Sequence, residues 1–236
     1  YMYHTWLDNP NWSHGFIIPL FSLYLLYTRR DELLAARRRV CPWAIPLILF
    51  AAVMHVVAYS VQNPWTCQLS MLLLGFALLL YLGGTEIAKI TWLPVLYLAF
   101  AMPIPESLYG RVALVLQNFA ARGSGVILRM LGANVEVTAS SLRVQTISGN
   151  WEPLTVAEAC SGMRLLVAFL ALSVAMAYLT ERPLWQRVVL VAMGIPVAIA
   201  CNVLRVSITC AAFIWEKPAF GKDFMHEFAG MVMLIP

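Results

Sequence analysis

Four side chains in this sequence are equipped for acyl-transfer chemistry: the thiol of Cys160, the guanidinium of Arg205 and the imidazoles of His14 and His226. Cys160 lies just before an apolar run that starts at Met163. A thiol at a helix N-terminus meets unpaired N–H groups and the positive end of the helix dipole, which favour the nucleophilic thiolate. The sequence Ala159-Cys160-Ser161-Gly162 keeps the approach uncrowded, and Gly162 permits close backbone contact. A histidine can take the thiol proton and later return it to a leaving amine. An arginine can hold the oxyanion of the tetrahedral intermediate between those steps. Cys201 shares a helix face with Arg205 and is a rival nucleophile, but it lies about 6 Å deeper along the helix, which disfavours it. His14, beside Gly15, suits a structural or substrate-orienting role better than that of a base. His55, inside an apolar run, is expected to be a buried hydrogen-bonder. The spacings contain no CxxC or HxxxH pair, so neither a zinc site nor a cofactor is expected. The five cysteines, scattered through apolar segments, make a poor disulfide framework.

The elements that must position these groups are membrane helices. Of the 236 residues, 61% are hydrophobic and 12% charged, and the mean hydropathy is +0.76. A soluble domain usually carries about 25% charged residues, so a soluble globular protein, a disordered chain and a coiled coil are all excluded. The net charge of +4 forms no basic stripe on a soluble face, and no nucleic-acid partner is expected. A spanning helix needs roughly 20 mainly apolar residues. Phe16–Tyr27, Trp43–Val61, Cys67–Leu82, Trp92–Met102, Met163–Leu179, Val188–Trp215 and a run beginning at Phe228 give about seven spans in an all-α polytopic fold. These runs lack the alternation of barrel strands.

Residues 105–159 differ, and read as an extracytoplasmic insertion in one transmembrane domain over 1–236. Leu108, Val112, Val115, Phe119, Val126 and Met130 recur at helical spacing, with Arg111, Asn118, Arg122 and Arg129 expected on the opposite face. This predicts an amphipathic helix over 106–131 lying in the interface and touching membrane lipid. Val135–Thr138 and Leu142–Gln145 alternate, and with a turn at Ser148–Asn150 they predict a small β-hairpin within 134–157. Arg29, Arg30, Arg37, Arg38 and Arg39 mark the loop after the first span as cytoplasmic. Alternate counting puts Gly83–Lys89 and Thr180–Arg187 inside and the amphipathic segment outside. Arg205 then lies about 27 Å along its helix from Arg187, near the outer end of a hydrocarbon core about 30 Å thick. The starts of the spans bearing His14, Cys160 and His226 face the same side.

Three blocks in order resemble the exosortase/archaeosortase family: Glu158-Ala-Cys160-Ser161-Gly162-Met-Arg164, Asn202-Val-Leu-Arg205, and His226-Glu227-Phe-Ala-Gly230. Ser13-His14-Gly15 and Ala101-Met-Pro103-Ile-Pro105 are similar to further segments of that family. The resemblance implies that Cys160, Arg205 and His226 are the catalytic residues. His14, Glu158, Ser161, Gly162, Arg164, Asn202 and Glu227 would support them or bind substrate. It implies a cysteine peptidase or transpeptidase in a bacterial inner membrane, with its active site at the extracytoplasmic face. The substrates would be exported proteins ending in a Pro-Glu-Pro motif, a transmembrane helix and a basic tail. Members have about eight spans, so one helix before Tyr1 and the rest of the last helix are expected beyond this sequence. Hydrolysis and transpeptidation both remain open, as do the acceptor and the oligomeric state. The rival readings of the same polar cluster are a transporter, with Arg205 binding an anion, and an acyltransferase on a lipid or a membrane-linked glycan.

Overall fold

The computed structural model describes residues 2–156 and 162–216. The chain divides at Pro105 into two compact units. In the first, α1 (Met2–Asp8), a 3-10 turn (Pro10–Phe16) and α2 (Ile17–Thr28) are followed by α3 (Arg30–Ala35), α4 (Ile45–Ser60) and α5 (Pro64–Tyr97), with a last 3-10 turn from Leu98 to Ala101. Two starts share one local device. Asn9 and Asn63 are extended, their side chains accept from Asn11 N–H at 3.0 Å and Thr66 N–H at 3.1 Å, and a proline follows each. An Asn cap supplies an acceptor to a free helix-end N–H, and proline at the first position wastes no donor.

Gly84 breaks α5 with φ 78° and ψ −176°. A Cβ there would stand 2.5 Å from the Arg39 carbonyl oxygen, so only glycine fits. Before the break, Tyr81 O accepts from Cys41 N–H and Ser70 meets His55, so this half runs antiparallel to α4. Beyond it, Pro94 O accepts from Ser22 at 2.7 Å, Tyr97 packs on Phe21, and Phe100 O meets His14 at 3.2 Å, antiparallel to α2. Since α2 runs towards the arginine-rich loop and α4 away from it, the two halves of α5 run in opposite senses. Gly84 lies at the level of that loop, where Glu86 accepts from the Arg37 N–H at 2.9 Å. The break thus falls inside the expected loop Gly83–Lys89, but a single residue replaces the loop and helix resumes at once.

In the second unit α6 (Glu106–Met130) leads to a three-stranded sheet, β1 (Val135–Thr138), β2 (Ser141–Gln145) and β3 (Trp151–Thr155), followed by α7 (Met163–Leu179) and α8 (Leu184–Ile214). The α6 helix ends at Gly132 (φ 84°), whose N–H donates to Arg129 O, while Ala133 N–H donates to Leu128 O. This glycine C-cap satisfies the last carbonyls. Arg129 then reaches forward, donating from Nε and Nη2 to Val135 O at 3.1 and 2.8 Å, and ties the helix end to β1.

The sheet is antiparallel in the order β1-β2-β3, one strand more than the expected hairpin. The third strand contains Pro153, opposite Arg143. Proline is tolerated on an edge strand, and β3 pairs with β2 alone. Leu142 and Val144 of β2 are fully buried and, with Val135, Val156, Ala120, Ala121, Leu128, Val206 and Cys210, form one apolar core between sheet, α6 and α8.

The faces of α6 also differ from expectation. Its buried face is Ala113, Leu116, Ala120, Ala121, Ser124, Gly125 and Leu128, while Leu108, Val115, Phe119, Val126 and Met130 are exposed. At 100° per residue the arginines flank that exposed apolar row rather than oppose it, and the side opposite it is the small-residue face that packs inward. Small side chains win the inner face because they let backbones approach. A Cβ on Gly123 would be 2.8 Å from Val203, and Ser124 Oγ donates to Val203 O at 3.2 Å.

Among the described residues three helical runs are long and apolar enough to cross a membrane: Pro42–Ser60, Pro64–Ala101 and Leu184–Ile214. The expected first and fifth spans are helices of 12 and 17 residues, α2 and α7, below that length, and the expected third and fourth are the two halves of α5. The expected seventh lies outside the described residues.

At the end of α8, Glu216 has φ 55°, a left-handed conformation costly for a side chain. Its carboxylate accepts from both the hydroxyl and the N–H of Ser148, and Ile147 N–H donates to Ile214 O, clasping the sheet to the helix end. The Ser148 hydroxyl, then its N–H, hold the Glu216 carboxyl below the ordinary carboxylate range. The folded pKa being depressed, the contribution of the clasp is complete above the ordinary Glu value of about 4.3 and is lost as pH falls through the lower folded value. Hydrogen exchange at the Ser148 amide should therefore be faster in Glu216→Gln than in the parent at neutral pH, with the difference closing in acid. Equal exchange at neutral pH would dismiss the clasp.

Candidate active site

The local geometry of the second unit starts from glycines. The short link from Thr180 to Pro183 returns α8 antiparallel to α7, and two contacts set how closely they lie. A Cβ on Gly194 would stand 2.6 Å from Ser173 Oγ, and one on Gly162 would stand 2.7 Å from Asn202 Nδ2. Gly162, with φ 74°, caps α7 without any side-chain hydrogen bond. The N-terminus of α7 is therefore pressed against α8 at Asn202, one turn before Arg205.

Both α8 residues are buried, Asn202 with 2% and Arg205 with 5% of its surface exposed. They sit roughly 30 Å along the helix from Leu184. Neither amide atom of Asn202 has a hydrogen-bond partner among the described residues. Arg164, second residue of α7 and half-buried, feels the charge of the Arg205 guanidinium, and Tyr109 from the first turn of α6 acts on the same group. The α7–α8 contact thus brings Gly162, Asn202, Arg164 and Arg205 to one end of the helix pair, and Tyr109 acts on Arg164. Arranged together, two guanidiniums, a free amide and a helix N-terminus can hold negative charge and stabilise an oxyanion.

Four of the expected site residues, Gly162, Arg164, Asn202 and Arg205, are brought together here. Cys160, with Glu158, Ser161, His226 and Glu227, lies outside the described residues. Cys201 is half-buried on α8. His14 belongs to the first unit, is 6% exposed, and turns Nε2 to the Phe100 carbonyl while its ring lies tilted at 5.8 Å from that of Trp12. That bond fixes its orientation. His55, expected to be a buried hydrogen-bonder, is half-buried and meets Ser70 Oγ at 2.8 Å. Since Ser70 donates to Cys67 O, His55 Nδ1 is the donor in that pair. Tyr109 is the residue that sequence reasoning misses. A lone tyrosine has no motif spacing, but its register with Ala113, Leu116 and Ala120 puts it on the inward face of α6.

The chain belongs to the transmembrane exosortase family, whose family model matches residues 6–235. No curated protein and no solved structure matches it. It is a membrane protein by family and by its apolar helices alike.

The Gly162–Asn202 contact generates a stability test. Gly162→Ala combines a left-handed φ, worth about 1–2 kcal/mol against an L-residue, with a clash on the Asn202 amide. Its melting temperature in detergent should fall by several degrees. Adding Asn202→Ala should restore the clash part and leave the backbone part. An unchanged single variant would mean that α7 does not meet α8 this way.

Proposed function

We propose that this chain is a membrane-embedded cysteine peptidase or transpeptidase that cleaves the C-terminal sorting signal of exported proteins through a thioacyl-enzyme. Cys160 is the nucleophile, His226 the base for its proton and then the acid for the leaving amine, and Arg205 the holder of the oxyanion. The thiolate attacks the scissile carbonyl, the tetrahedral oxyanion collapses, and the amine leaves with the proton from His226. Water then releases a hydrolysed product, or an acceptor amine takes the acyl group. The observation that carries this reading is the contact of Gly162, two residues beyond Cys160 in sequence, with Asn202, one turn from buried Arg205, in a chain that the exosortase family spans almost end to end.

The substrate follows from the same placement. A protein tethered by its own helix, with a basic tail held on the cytoplasmic side, presents the peptide preceding that helix at the outer membrane surface. A Pro-Glu-Pro motif before such a helix fits that description. The setting proposed is a bacterial inner membrane with the site facing outward. Neither a metal nor a cofactor enters this chemistry.

Co-expression with a tagged substrate, followed by mass spectrometry of its new C-terminus, tests the reading. Cys160→Ala should insert normally and abolish processing, and a covalent peptide adduct should form on Cys160 in the parent. Processing by Cys160→Ala, with Cys201→Ala inactive, would move the nucleophile to α8. A lipid acyl adduct in place of a peptide would establish the acyltransferase.

Arg205→Lys keeps the charge but loses the planar fork of donors. Turnover should fall at least ~10²-fold with substrate binding retained, the scale of one lost oxyanion donor. Unchanged turnover would make Arg205 a structural residue.

A further inference from the structure

The α6 helix carries its cations in one line. Arg122 and Arg129 follow Arg111 by 11 and 18 residues, close to three and five whole turns of an α-helix. The three share one stripe, about 27 Å long and about 70° to one side of the exposed row of Leu108, Val115, Phe119, Val126 and Met130. The one acidic residue of α6 is Glu106, in its first turn. Arg111 and Arg122 are exposed and form no ion pair among the described residues, while Arg129 reaches Val135 O. The contrast with the apolar helices is plain: α4 has no charged side chain, and α8 has only Arg187 near its start and the buried Arg205.

We infer that α6 is a docking surface for anionic phospholipid, lying flat with its apolar row among the upper acyl chains and Arg111 and Arg122 on headgroup phosphates. A crossing pose fails on the stripe. With Arg111 at one boundary, Arg122 would stand about 16 Å into the hydrocarbon beside an exposed apolar row, where a guanidinium is costly. Nor is α6 one of the helical runs apolar enough to cross. Lying flat keeps every arginine of the stripe at one level. The inner face of α6 is already taken by Val203, Val137 and the sheet core, so the row and the stripe are what it offers a partner. The guanidinium fork matches a phosphate. A stripe without an acid favours a headgroup of net negative charge over one whose own cation offsets its phosphate.

The test places the full chain in nanodiscs of equimolar phosphatidylglycerol and phosphatidylcholine, one lipid at a time bearing a diazirine beside its headgroup. Mass spectrometry then maps the photo-crosslinks on residues 106–131. In the parent the phosphatidylglycerol probe should label α6 at least about tenfold more than the phosphatidylcholine probe, since each basic side chain at an anionic surface is worth about fivefold. Replacing both Arg111→Gln and Arg122→Gln should bring the ratio close to one, and the Arg111→Lys, Arg122→Lys pair should keep most of it. Both side chains are exposed, so the melting temperature of the Gln pair in detergent should stay close to that of the parent. Equal labelling by the two probes in the parent, or an unchanged ratio in the Gln pair, would overturn the proposal.

A second probe, with the diazirine at the acyl terminus, reads depth. It should label Val115 and Phe119 weakly, and stronger labelling there than from the headgroup probe would mean that α6 crosses the bilayer. Soluble glycerol phosphate should not compete with the phosphatidylglycerol probe, and competition would replace the lipid surface by a free phosphate site. Crosslinks between the α6 helices of two copies, with no lipid labelling, would give the row to a second copy of the chain. Each of these three outcomes overturns the proposal. None of the readouts requires processing of a substrate, so they hold independently of the part played by Cys160.

Discussion

The second unit depends on how closely two helix backbones can approach α8. At Gly123 the neighbour is Val203, at Gly162 it is Asn202, and at Gly194 it is Ser173 on the facing helix. A Cβ at any of the three would stand under 3 Å from its neighbour. In a membrane the apolar driving force between helices is weak, because lipid tails solvate leucine as well as protein does, and close packing of small residues replaces it. These approaches have a chemical result. They put the start of α7 and the Gly123–Ser124 stretch of α6 beside one turn of α8, and that turn carries Asn202 and Arg205.

The first unit solves a related problem by a sharp reversal. Its arginine-rich loop supplies backbone carbonyls and N–H groups to the end of the first half of α5, so the break at Gly84 is met by Arg39, Arg37 and Cys41 instead of being left to solvent. The return half then sets Ser22, Phe21 and His14 against Pro94, Tyr97 and Phe100. His14 is oriented by this register through a backbone carbonyl.

What was legible in the sequence follows from which forces are local. Asn9-Pro10 and Asn63-Pro64 announce helix starts because cap and proline act within a few residues. The α6 helix begins and ends close to its expected bounds because Pro105 and Gly132 stop it chemically. The polar cluster of Gly162, Arg164, Asn202 and Arg205 was readable as sequence blocks, and the meeting of those four residues follows from the α7–α8 turn. Three features were not legible, for physical reasons. The inward face of α6 is its small face, since approach distance outweighs side-chain size there, and a reading by hydrophobic size chooses the wrong stripe. β3 is hidden by Pro153, which is harmless only because the strand is an edge. The reversal in α5 occupies one glycine, and a scan for polar loops looks for more. Cys160 and His226 lie outside the described residues, and their part in the cluster rests on sequence alone.

The length of α8 has a mechanical corollary. A helix of 31 residues is about 46 Å long, well beyond a hydrocarbon core of about 30 Å. The excess at its C-terminal end is gripped by the sheet and by α6, whose outward row of Leu108, Val115, Phe119, Val126 and Met130 is flanked by arginines. Such a row suits a headgroup boundary, and the sheet and α6 clasp the end of α8 like a collar on a shaft. Thickening or thinning the bilayer is accommodated by tilt of such a shaft, while the collar stays clasped to its end. Arg205, near the collar, keeps its place against the sheet and α6, and the opposite end of the helix at Leu184 takes up the mismatch.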